Sequence, residues 1–451
     1  MAPEPVSRSQ ADPHAAAEEE RMRAHARDIF LHALGESNVT KAFGRHISFE
    51  RGILRVVDDL YDLSAFREVM VISFGKAAHA MAEAMASVVG PGLGGVVVDV
   101  SEPAQQLSNF RYYRGGHPTP TSESLKAGRA ILRVLKRLGQ GDLVIFMLSG
   151  GGSALVEVPI DDEIALEDLA TTYNALVLSG APIAEVNAIR KHLSAMKGGR
   201  MAQAAAGTAQ LSIMVSDVPD NALDALASGP TMPDSTTVHG CYAIAEKFGL
   251  KPKFPPSVRD LFENNSLEET PKADDPVFAG SRWWPILSSS SAQKAAAAQA
   301  AMAGFAVEVD NSCDDWDYTA AADYLLQRVR KLHGGVSRVC LISGGEVTVK
   351  VCGSGGVGGR NQQFALYCAT KIAGQKLAAL SAGTDGIDGN SPAAGAVADG
   401  TTVARAQARG LDPLAALQNF DAYSVFQPLG DALVTGATRT NVRDLRILLA
   451  W

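Results

Sequence analysis

The sequence holds little that would suit a membrane or a nucleic acid. No apolar run approaches the roughly 18 residues that a membrane-spanning helix needs. The net charge is -8 and no basic patch with interleaved aromatic residues occurs, so we expect no nucleic-acid partner. The amino-terminal stretch has no apolar core of the kind found in signal peptides. These absences favour a cytoplasmic protein with no membrane partner.

Cysteine is also scarce, with 5 residues in a chain of 451. The odd number argues against a closed disulfide framework, and no C-x-x-C pair is present. Cys340 and Cys352 lie in apolar stretches that are typical of buried strands. We therefore predict reduced thiols in the core of a cytosolic protein, and no zinc site.

Three common catalytic motifs are missing as well. A Walker A loop around Lys76 would need glycine at position 70 and serine or threonine at 77, where the chain has Met70 and Ala77. A G-x-S-x-G nucleophile elbow at Ser153 fails, because Leu155 stands at its last position. The protein-kinase combination of H-R-D with D-F-G is absent. The chemistry of this chain must therefore use other groups.

What the sequence does contain is a regular alternation of apolar strands and helices, which predicts an α/β fold. A chain of 451 residues is too long for one core, so we expect two α/β domains. The first would have a doubly wound, Rossmann-like sheet, and the second a mixed sheet with helices. A proline-rich, charged stretch separates them. The predicted boundaries are a disordered tail at 1–20, domains at 21–265 and 285–451, and a linker at 266–284.

A glycine-rich loop at 353–359 joins a predicted strand at 347–351 to a predicted helix. Its glycines allow positive φ angles, so successive N–H groups could point to one side. Arg360 adds a permanent charge with a planar donor fork, and the helix start adds oriented N–H groups. The sequence therefore predicts a receptor for phosphate or carboxylate, formed by Gly355, Gly358, Gly359, Arg360 and Asn361.

The same loop formally matches the dinucleotide fingerprint G-x-G-x-x-G at Gly353, Gly355 and Gly358. Its context differs from that of the fingerprint, because the predicted strand before it alternates polar and apolar residues and is half exposed. No acidic residue follows the next strand at the place that would hold a ribose. Hydride transfer that depends on NAD(P)H is therefore the alternative hypothesis.

Polar residues follow several predicted strands, and ligands in open α/β sheets bind beyond the carboxyl ends of strands. Lys76 stands at a helix start, where a cation opposes the helix dipole, so we expect it to meet a bound anion. The alternative is a solvated lysine. A loop after another strand predicts an anion-binding nest, or a helix N-cap at its last residue. It consists of Ser149, Gly150, Gly151, Gly152 and Ser153.

Carboxylates and further cations complete the set of candidates. Asp217, Glu346 and Asp385 follow strands and could hold magnesium together with phosphate oxygens. Asp385 and Asp388 lie in a glycine-rich loop where a metal or substrate contact is plausible, and the alternative for both is an Asx-turn. A predicted helix carries Asn187, Arg190 and Lys191, which could bind substrate or lie on a solvated face. The glycine loop after it, with Lys197, is more typical of an anion-binding loop than of a simple C-cap.

These blocks together resemble the class II glycerate kinases, which have an N-terminal glycerate-kinase domain and a C-terminal domain of the MOFRL type. The resemblance covers nearly the whole chain. It departs from the family pattern at Asp220, Asn221, Ile387, Ala437 and Arg439. The matching blocks include Phe74-Gly75-Lys76-Ala77, Gly116-His117-Pro118, Leu148 to Ala154, Asn187 to Gly199, Ser216-Asp217-Val218, Ala227 to Thr231, Ser343-Gly344-Gly345-Glu346, Gly358 to Gln362, Gly383-Thr384-Asp385-Gly386 and Thr440-Asn441-Val442.

The resemblance implies ATP-dependent phosphorylation of D-glycerate to 2-phosphoglycerate, with magnesium, in a cleft between two domains. The lysine and arginine that are essential in the family fall on Lys76 and Arg360. The partners would be D-glycerate and a nucleotide, and the protein would be a monomer or a homodimer. Some family members are labelled hydroxypyruvate reductases, which is the same alternative that the fingerprint raises.

Overall fold

A computed structural model describes residues 13–351, 353, 355–438 and 440–451. The chain divides into two compact units, which are described separately. The N-terminal unit comprises residues 38–288, and the C-terminal unit comprises the described residues up to 37 together with 289–451. In the described ranges no helix combines the length and the hydropathy that crossing a bilayer requires.

The first helix, α1 (Pro13–Glu36), belongs to the C-terminal unit. Its buried residues recur at helical spacing and join the apolar core of that unit, with Ile29 and Phe30 almost completely buried. Arg27 pairs with Asp431 at 3.2 Å. This helix therefore packs with the C-terminal unit and not with the domain that was predicted to begin at residue 21, because its apolar face contacts residues from 296 onward. Residues 13–20 are helical rather than disordered, and 1–12 lie outside the described residues.

The N-terminal unit is built around a six-stranded sheet and several helices. Its elements in chain order are α2 (Val39–His46), β1 (Ile47–Glu50), β2 (Ile53–Val56), β3 (Asp59–Asp62), β4 (Val69–Phe74), α3 (Ala78–Val89), β5 (Gly94–Asp99), β6 (Phe110–Arg114), α4 (Ser122–Arg137), β7 (Leu143–Ser149), α5 (Gly152–Leu155), α6 (Leu166–Val177), α7 (Ile183–His192), α8 (Arg200–Ala204), β8 (Ala209–Val215), α9 (Val238–Lys247), α10 (Pro256–Glu263) and β9 (Ser281–Leu287).

The six strands run parallel in the order β6-β5-β4-β7-β8-β9, and β1 to β3 form a separate antiparallel sheet. The chain starts in the middle at β4, moves outward to β6, and then continues on the other side of β4 with β7. This order confirms the predicted doubly wound, Rossmann-like domain. It also defines a topological switch point between β4 and β7, where ligands of such sheets bind.

The predicted linker at 266–284 is wrong at its carboxyl end. Residues from Ser281 onward form β9, which pairs in parallel with β8 at the edge of the sheet. The proline and charge content of the stretch suggested a loop, but the edge of a sheet tolerates a proline such as Pro285. The chain passes into the C-terminal unit after Ser288, where α11 begins almost at once.

The C-terminal unit has a mixed six-stranded sheet in the order β10-β11-β15-β12-β13-β14, which confirms the predicted class. In this sheet β10 and β11 pair in parallel, and the other neighbouring strands pair antiparallel. Its elements are α11 (Ser289–Met302), β10 (Ala306–Val309), α12 (Tyr318–His333), β11 (Val339–Gly344), α13 (Arg360–Lys371), β12 (Leu377–Gly383), β13 (Gly395–Asp399), α14 (Thr402–Ala408), α15 (Pro413–Gln418), α16 (Tyr423–Leu429), β14 (Ala432–Leu433) and β15 (Asp444–Ala450).

The alternating segment 347–351 is not a regular strand, contrary to the prediction. Thr348 forms a single bridge with Asp317, and its N–H donates to the carbonyl of Trp316 at 2.8 Å. The segment therefore lies against a loop instead of entering the sheet. The local pattern of alternation could not show this, because pairing depends on which partner is available.

The cysteine prediction can be checked at four positions. Cys241, Cys313, Cys340 and Cys368 are buried free thiols. Burial raises the pKa of Cys241 and of Cys340 to about 12, so neither is a reactive thiolate near neutral pH. The prediction for Cys352 lies outside the described residues.

The packing of α1 generates a test of the domain assignment. Phe30→Ala should lower the free energy of unfolding of the C-terminal unit by about 3–5 kcal/mol, because a fully buried aromatic side chain leaves a cavity. Hydrogen exchange read by mass spectrometry should show lost protection in 289–451 and unchanged protection in 38–288. The neighbouring Leu31 is 50% exposed, so Leu31→Ala is a matched control with little expected effect. Lost protection confined to 38–288 would contradict the assignment.

Candidate active site

The switch point of the N-terminal sheet is formed by the turns that follow β4 and β7. The backbone N–H of Lys76 donates to the carbonyl of Gly150 at 2.9 Å, and the N–H of Ala77 donates to the Ser149 hydroxyl at 3.0 Å. These bonds hold the two turns together. The Ser149 hydroxyl, a predicted ligand contact, is buried and accepts a backbone hydrogen bond instead.

Two glycines allow this close approach. Gly75 has φ +125°, and a β-carbon there would overlap the Ser149 hydroxyl. A β-carbon on Gly150 would overlap the carboxylate of Asp217, which follows β8. The absence of side chains therefore brings the Asp217 carboxylate against the turn after β7.

Lys76 lies at this edge with an exposed side chain, two residues before α3 begins. In the described part of the chain its ammonium group has no carboxylate partner. A β-carbon on Gly151 would stand 3.2 Å from the Lys76 side chain and 3.1 Å from the ring of His117. Burial and the nearby Lys76 charge both lower the pKa of His117, so this imidazole is neutral at pH 7. Lys76, Gly151 and His117 are thus neighbours.

The short helix α5 completes this edge. Gly151 precedes it at φ +81°, and the Ser153 hydroxyl lies 2.8 Å from that of Ser228. Ser153 is therefore not the N-cap, because Gly151 occupies that position. Gly152 packs its α-carbon against Phe74 and Ala227, where a side chain would not fit.

The other predicted cations of the N-terminal unit are largely neutralised. Lys191 is buried and pairs with Asp224 at 3.0 Å and Asp234 at 3.1 Å. Lys197 is buried and pairs with Glu157. These two predictions need correction, since internal carboxylates take the charge that was assigned to a ligand, and a desolvated cation requires such a partner.

Two further predicted residues of α7, Arg190 and Asn187, form no ion pair with a carboxylate within the described ranges. The Arg190 guanidinium stacks 5.0 Å from the centre of the Tyr173 ring, and burial lowers its pKa. Its Nε is buried without a hydrogen-bond partner among the described residues. Asn187 is half-buried one turn earlier. The contacts of Arg190 and Asn187 do not show whether either residue binds a ligand, so both stay predictions.

A cavity of about 780 Å³ lies in the C-terminal unit, at the glycine loop and the start of α13. It is large enough for a nucleotide or a smaller organic anion. Its lining includes apolar side chains from the segment after β11 and polar groups from the loops before α13 and after β12. The polar lining includes Arg360, Asn361, Gln363, Asp385, Asp388 and Asn390.

The glycine loop uses part of its backbone donors within the protein, which the prediction of a ligand receptor did not include. The N–H of Gly356 donates to the carbonyl of Asn419, that of Val357 to the carboxylate of Asp421 at 2.8 Å, and that of Gly358 to the side chain of Asn390 at 2.9 Å. Three successive donors are thereby committed to acceptors of the protein itself.

The start of α13 is occupied in the same way. The carboxylate of Asp388 accepts from the N–H of Asn361 at 3.0 Å and from the N–H of Gln362 at 2.8 Å. Burial raises the pKa of Asp388 to about 6. A β-carbon on Gly359 would overlap this carboxylate, which explains the glycine there. The anion at this helix terminus is therefore Asp388.

Arg360 is the cation of the cavity, and two carboxylates hold it. Its Nε and Nη2 donate to the two oxygens of Asp444 at 2.6 and 3.1 Å, and Nη2 also lies 2.9 Å from Glu346. Burial raises the pKa of Glu346, although Arg360 opposes the shift. Glu346 is consequently an arginine partner rather than a free metal ligand.

The three predicted metal ligands are divided between the units, with Asp217 in the N-terminal unit and Glu346 and Asp385 in the C-terminal unit. Within the described ranges no group of three or more His, Cys, Asp and Glu side chains could hold a metal ion. Asp385 accepts from the N–H of Ile387 at 3.1 Å, so it forms the Asx-turn that was the alternative. Its carboxylate is nevertheless exposed and lines the cavity.

Two residues at these sites, Asp444 and His117, were not among the predicted candidates. Asp444 begins a strand, and nothing in its local sequence reveals what it binds. His117 lies in a Gly-His-Pro block that matched the family pattern, which was an available signal. Asp388 was a predicted candidate for metal or substrate contact, with an Asx-turn as the alternative, but its carboxylate instead accepts hydrogen bonds from the start of α13.

Comparison with known proteins identifies the family. The model for the Domain of unknown function (DUF4147) matches residues 25–263, and the MOFRL family model matches 339–444. The chain is 36% identical to D-glycerate 2-kinase of Thermotoga maritima, over 84% of this chain and 90% of that protein. The chain belongs to the glycerate kinase family.

Structure agrees with sequence in this family assignment. A crystal structure of glycerate kinase from Thermotoga maritima superposes with a TM-score of 0.82 at 33% identity, covering 96% of this chain and 100% of that one. A putative hydroxypyruvate reductase of Agrobacterium vitis is 36% identical over 84% of this chain and 86% of its own. The label of this relative corresponds to the alternative hypothesis.

Of the five residues that depart from the family pattern, the four that the structure describes are exposed. Ile387 lines the cavity with 52% of its surface exposed, and Asp220, Asn221 and Ala437 are also exposed. Arg439 lies outside the described residues. Among the described departures, Ile387 is thus positioned to contact a ligand in this cavity.

The neighbourhood of Lys76 gives a prediction that requires no assay of activity. Lys76→Met should raise the pKa of His117, because a nearby positive charge disfavours the imidazolium ion. The measurement is a histidine NMR titration. Lys247→Met, which removes a lysine paired with Glu185, is the control and should leave the His117 titration unchanged. An unchanged His117 pKa in Lys76→Met would show that the two side chains do not interact electrostatically.

Proposed function

We propose that the protein transfers the γ-phosphoryl group of ATP to the 2-hydroxyl of D-glycerate, giving 2-phosphoglycerate and ADP. The observation that carries the proposal is Lys76, an exposed cation without a carboxylate partner among the described residues, at the switch point of a doubly wound sheet. Membership of the glycerate kinase family supports it. We further propose that Lys76 and Arg360 serve one site between the two domains.

In this reaction the hydroxyl oxygen forms a bond to the γ-phosphorus, the bond from that phosphorus to the bridging oxygen breaks, ADP leaves, and the hydroxyl proton is released to solvent. Such a transfer needs alignment and neutralisation of charge more than covalent catalysis. Lys76 would bind an anionic oxygen of the moving phosphoryl group. Arg360 would orient a phosphate or the glycerate carboxylate from the wall of its cavity.

Magnesium fits the donors that this chain presents. The ion takes one or two carboxylates and completes its shell with phosphate oxygens and water. The exposed carboxylate of Asp385 is of that kind, whereas Glu346 and Asp388 are already engaged. When bound with ATP, the ion would supply neutralisation of the phosphate charge.

Reduction of hydroxypyruvate with NAD(P)H is the second candidate, and two observations disfavour it. The G-x-G-x-x-G match at 353–358 is not preceded by a regular strand, and its loop donors bind acceptors of the protein. The sheet with Rossmann topology has Gly75-Lys76-Ala77 in its first turn, with no such fingerprint. A nucleotide pyrophosphate therefore lacks its usual cradle.

One pair of assays separates the two candidates. Incubation with D-glycerate, ATP and magnesium should release ADP, and NMR should identify 2-phosphoglycerate as the product. Incubation with hydroxypyruvate and NADH or NADPH should leave the reduced cofactor unchanged. The opposite pattern would overturn the proposal in favour of the reductase.

Lys76→Ala should lower kcat by about two to three orders of magnitude, as the loss of a preorganised electrostatic group does. Its melting temperature should change little, because the exposed side chain has no ion pair to lose in the described chain. Lys247→Ala, at an exposed pair with Glu185, is the control for removal of a lysine. A folded Lys76→Ala protein with wild-type turnover would return Lys76 to the solvated-lysine alternative.

A further inference from the structure

Asp444 stands out because it touches Arg360 and lies outside every motif that the sequence revealed. It is the first residue of β15, and it pairs in register with Gly383 of β12. Its side chain is 3% exposed. Because β15 is paired on both sides, the backbone of Asp444 is held in place, and its carboxylate can therefore hold the Arg360 guanidinium in place.

The contacts of Arg360 define which part of the guanidinium remains for a ligand. The Nε and Nη2 edge forms the fork with Asp444, and Nη2 meets Glu346 as well. Nη1 makes no hydrogen bond within the described ranges. Since Arg360 lines the cavity and its side chain is 36% exposed, Nη1 is the nitrogen that a ligand can reach.

We propose that Asp444 is a positioning residue, which holds Arg360 so that only Nη1 faces the ligand cavity. The expected kinetic effect rests on the proposed phosphoryl transfer. The contact between Asp444 and Arg360 does not depend on that function. A phosphate or carboxylate is then met end-on by Nη1 and not by the bidentate fork, because that fork is occupied.

This arrangement also explains why a lysine would be a poor replacement. The Arg360 charge is stabilised although burial opposes it, since the hydrogen bonds and charges of Asp444 and Glu346 raise its pKa. A lysine at 360 would have a single nitrogen to divide between these carboxylates and the ligand. Its ammonium would turn toward the carboxylates, and the cavity would lose its cation.

The first experiment measures kcat/KM for phosphorylation of glycerate in Asp444→Asn. We expect a fall of about 10-fold to 100-fold, as when a side chain that orients a functional group is neutralised. Asp431→Asn is the matched control. Asp431 is also 3% exposed and pairs with an arginine, Arg405, at 2.6 Å, but neither lines the cavity. Near-wild-type kcat/KM is expected for the control.

A double-mutant cycle tests whether Asp444 acts through Arg360. In the Arg360→Lys background, adding Asp444→Asn should have little further effect, because the group to be positioned is already gone. Asp444→Glu, which keeps the charge, should retain more activity than Asp444→Asn. If Asp444→Asn lowers kcat/KM by the same factor in both backgrounds, the residue has a general structural role and the proposal is overturned.

A measurement without turnover separates this inference from the proposed function. In protein labelled with ¹⁵N-arginine, the Arg360 Nε–H signal, assigned by its loss in Arg360→Lys, should be protected from solvent exchange. The protection should disappear in Asp444→Asn and persist in Asp431→Asn. If the wild type does not phosphorylate glycerate but this pattern holds, the function fails and the positioning stands. An Arg360 signal that stays protected in Asp444→Asn would overturn the positioning.

Discussion

The ion pair between Arg360 and Asp444 determines what the C-terminal cavity can offer a ligand. A guanidinium can bind an anion through a fork of two nitrogens, but here that fork closes on a carboxylate at 2.6 and 3.1 Å. Two carboxylates therefore hold the guanidinium before any ligand arrives, and in our proposal Nη1 faces the cavity. Such preorganisation reduces the reorganisation that binding and transfer would otherwise require.

The backbone N–H groups around this arginine are also held by acceptors of the protein itself. Asp388 occupies the start of α13, while Asp421 and Asn390 hold the glycine loop. The donors at the start of α13 are buried, and a buried N–H without an acceptor is costly, so Asp388 satisfies them internally. In the N-terminal unit the buried ammonium groups of Lys191 and Lys197 likewise meet buried carboxylates. Lys76 differs because its side chain reaches solvent.

The two units offer complementary chemistry at the level of single side chains. The switch point of the parallel sheet presents an exposed lysine beside a neutral histidine, and glycines bring the Asp217 carboxylate close to the same turns. The cavity of the C-terminal unit presents a fixed arginine and the exposed carboxylate of Asp385. Cations for phosphate oxygens and a carboxylate for magnesium are what phosphoryl transfer needs.

The sequence by itself determined the α/β class, the doubly wound order of the first sheet and the position of Lys76 and Arg360 at loop ends, because period and glycine placement are local signals. Only the tertiary structure decided that α1 packs with the C-terminal unit, that 281–287 completes the N-terminal sheet, and that 347–351 remains outside a sheet. The tertiary structure also decided which hydrogen-bond donors of the cavity are already bound within the protein. Their acceptors lie 26 to 84 residues away in the chain and are Asp388, Asp421 and Asp444. A pairing across that distance depends on where the folded chain brings each carboxylate, and no local pattern encodes it.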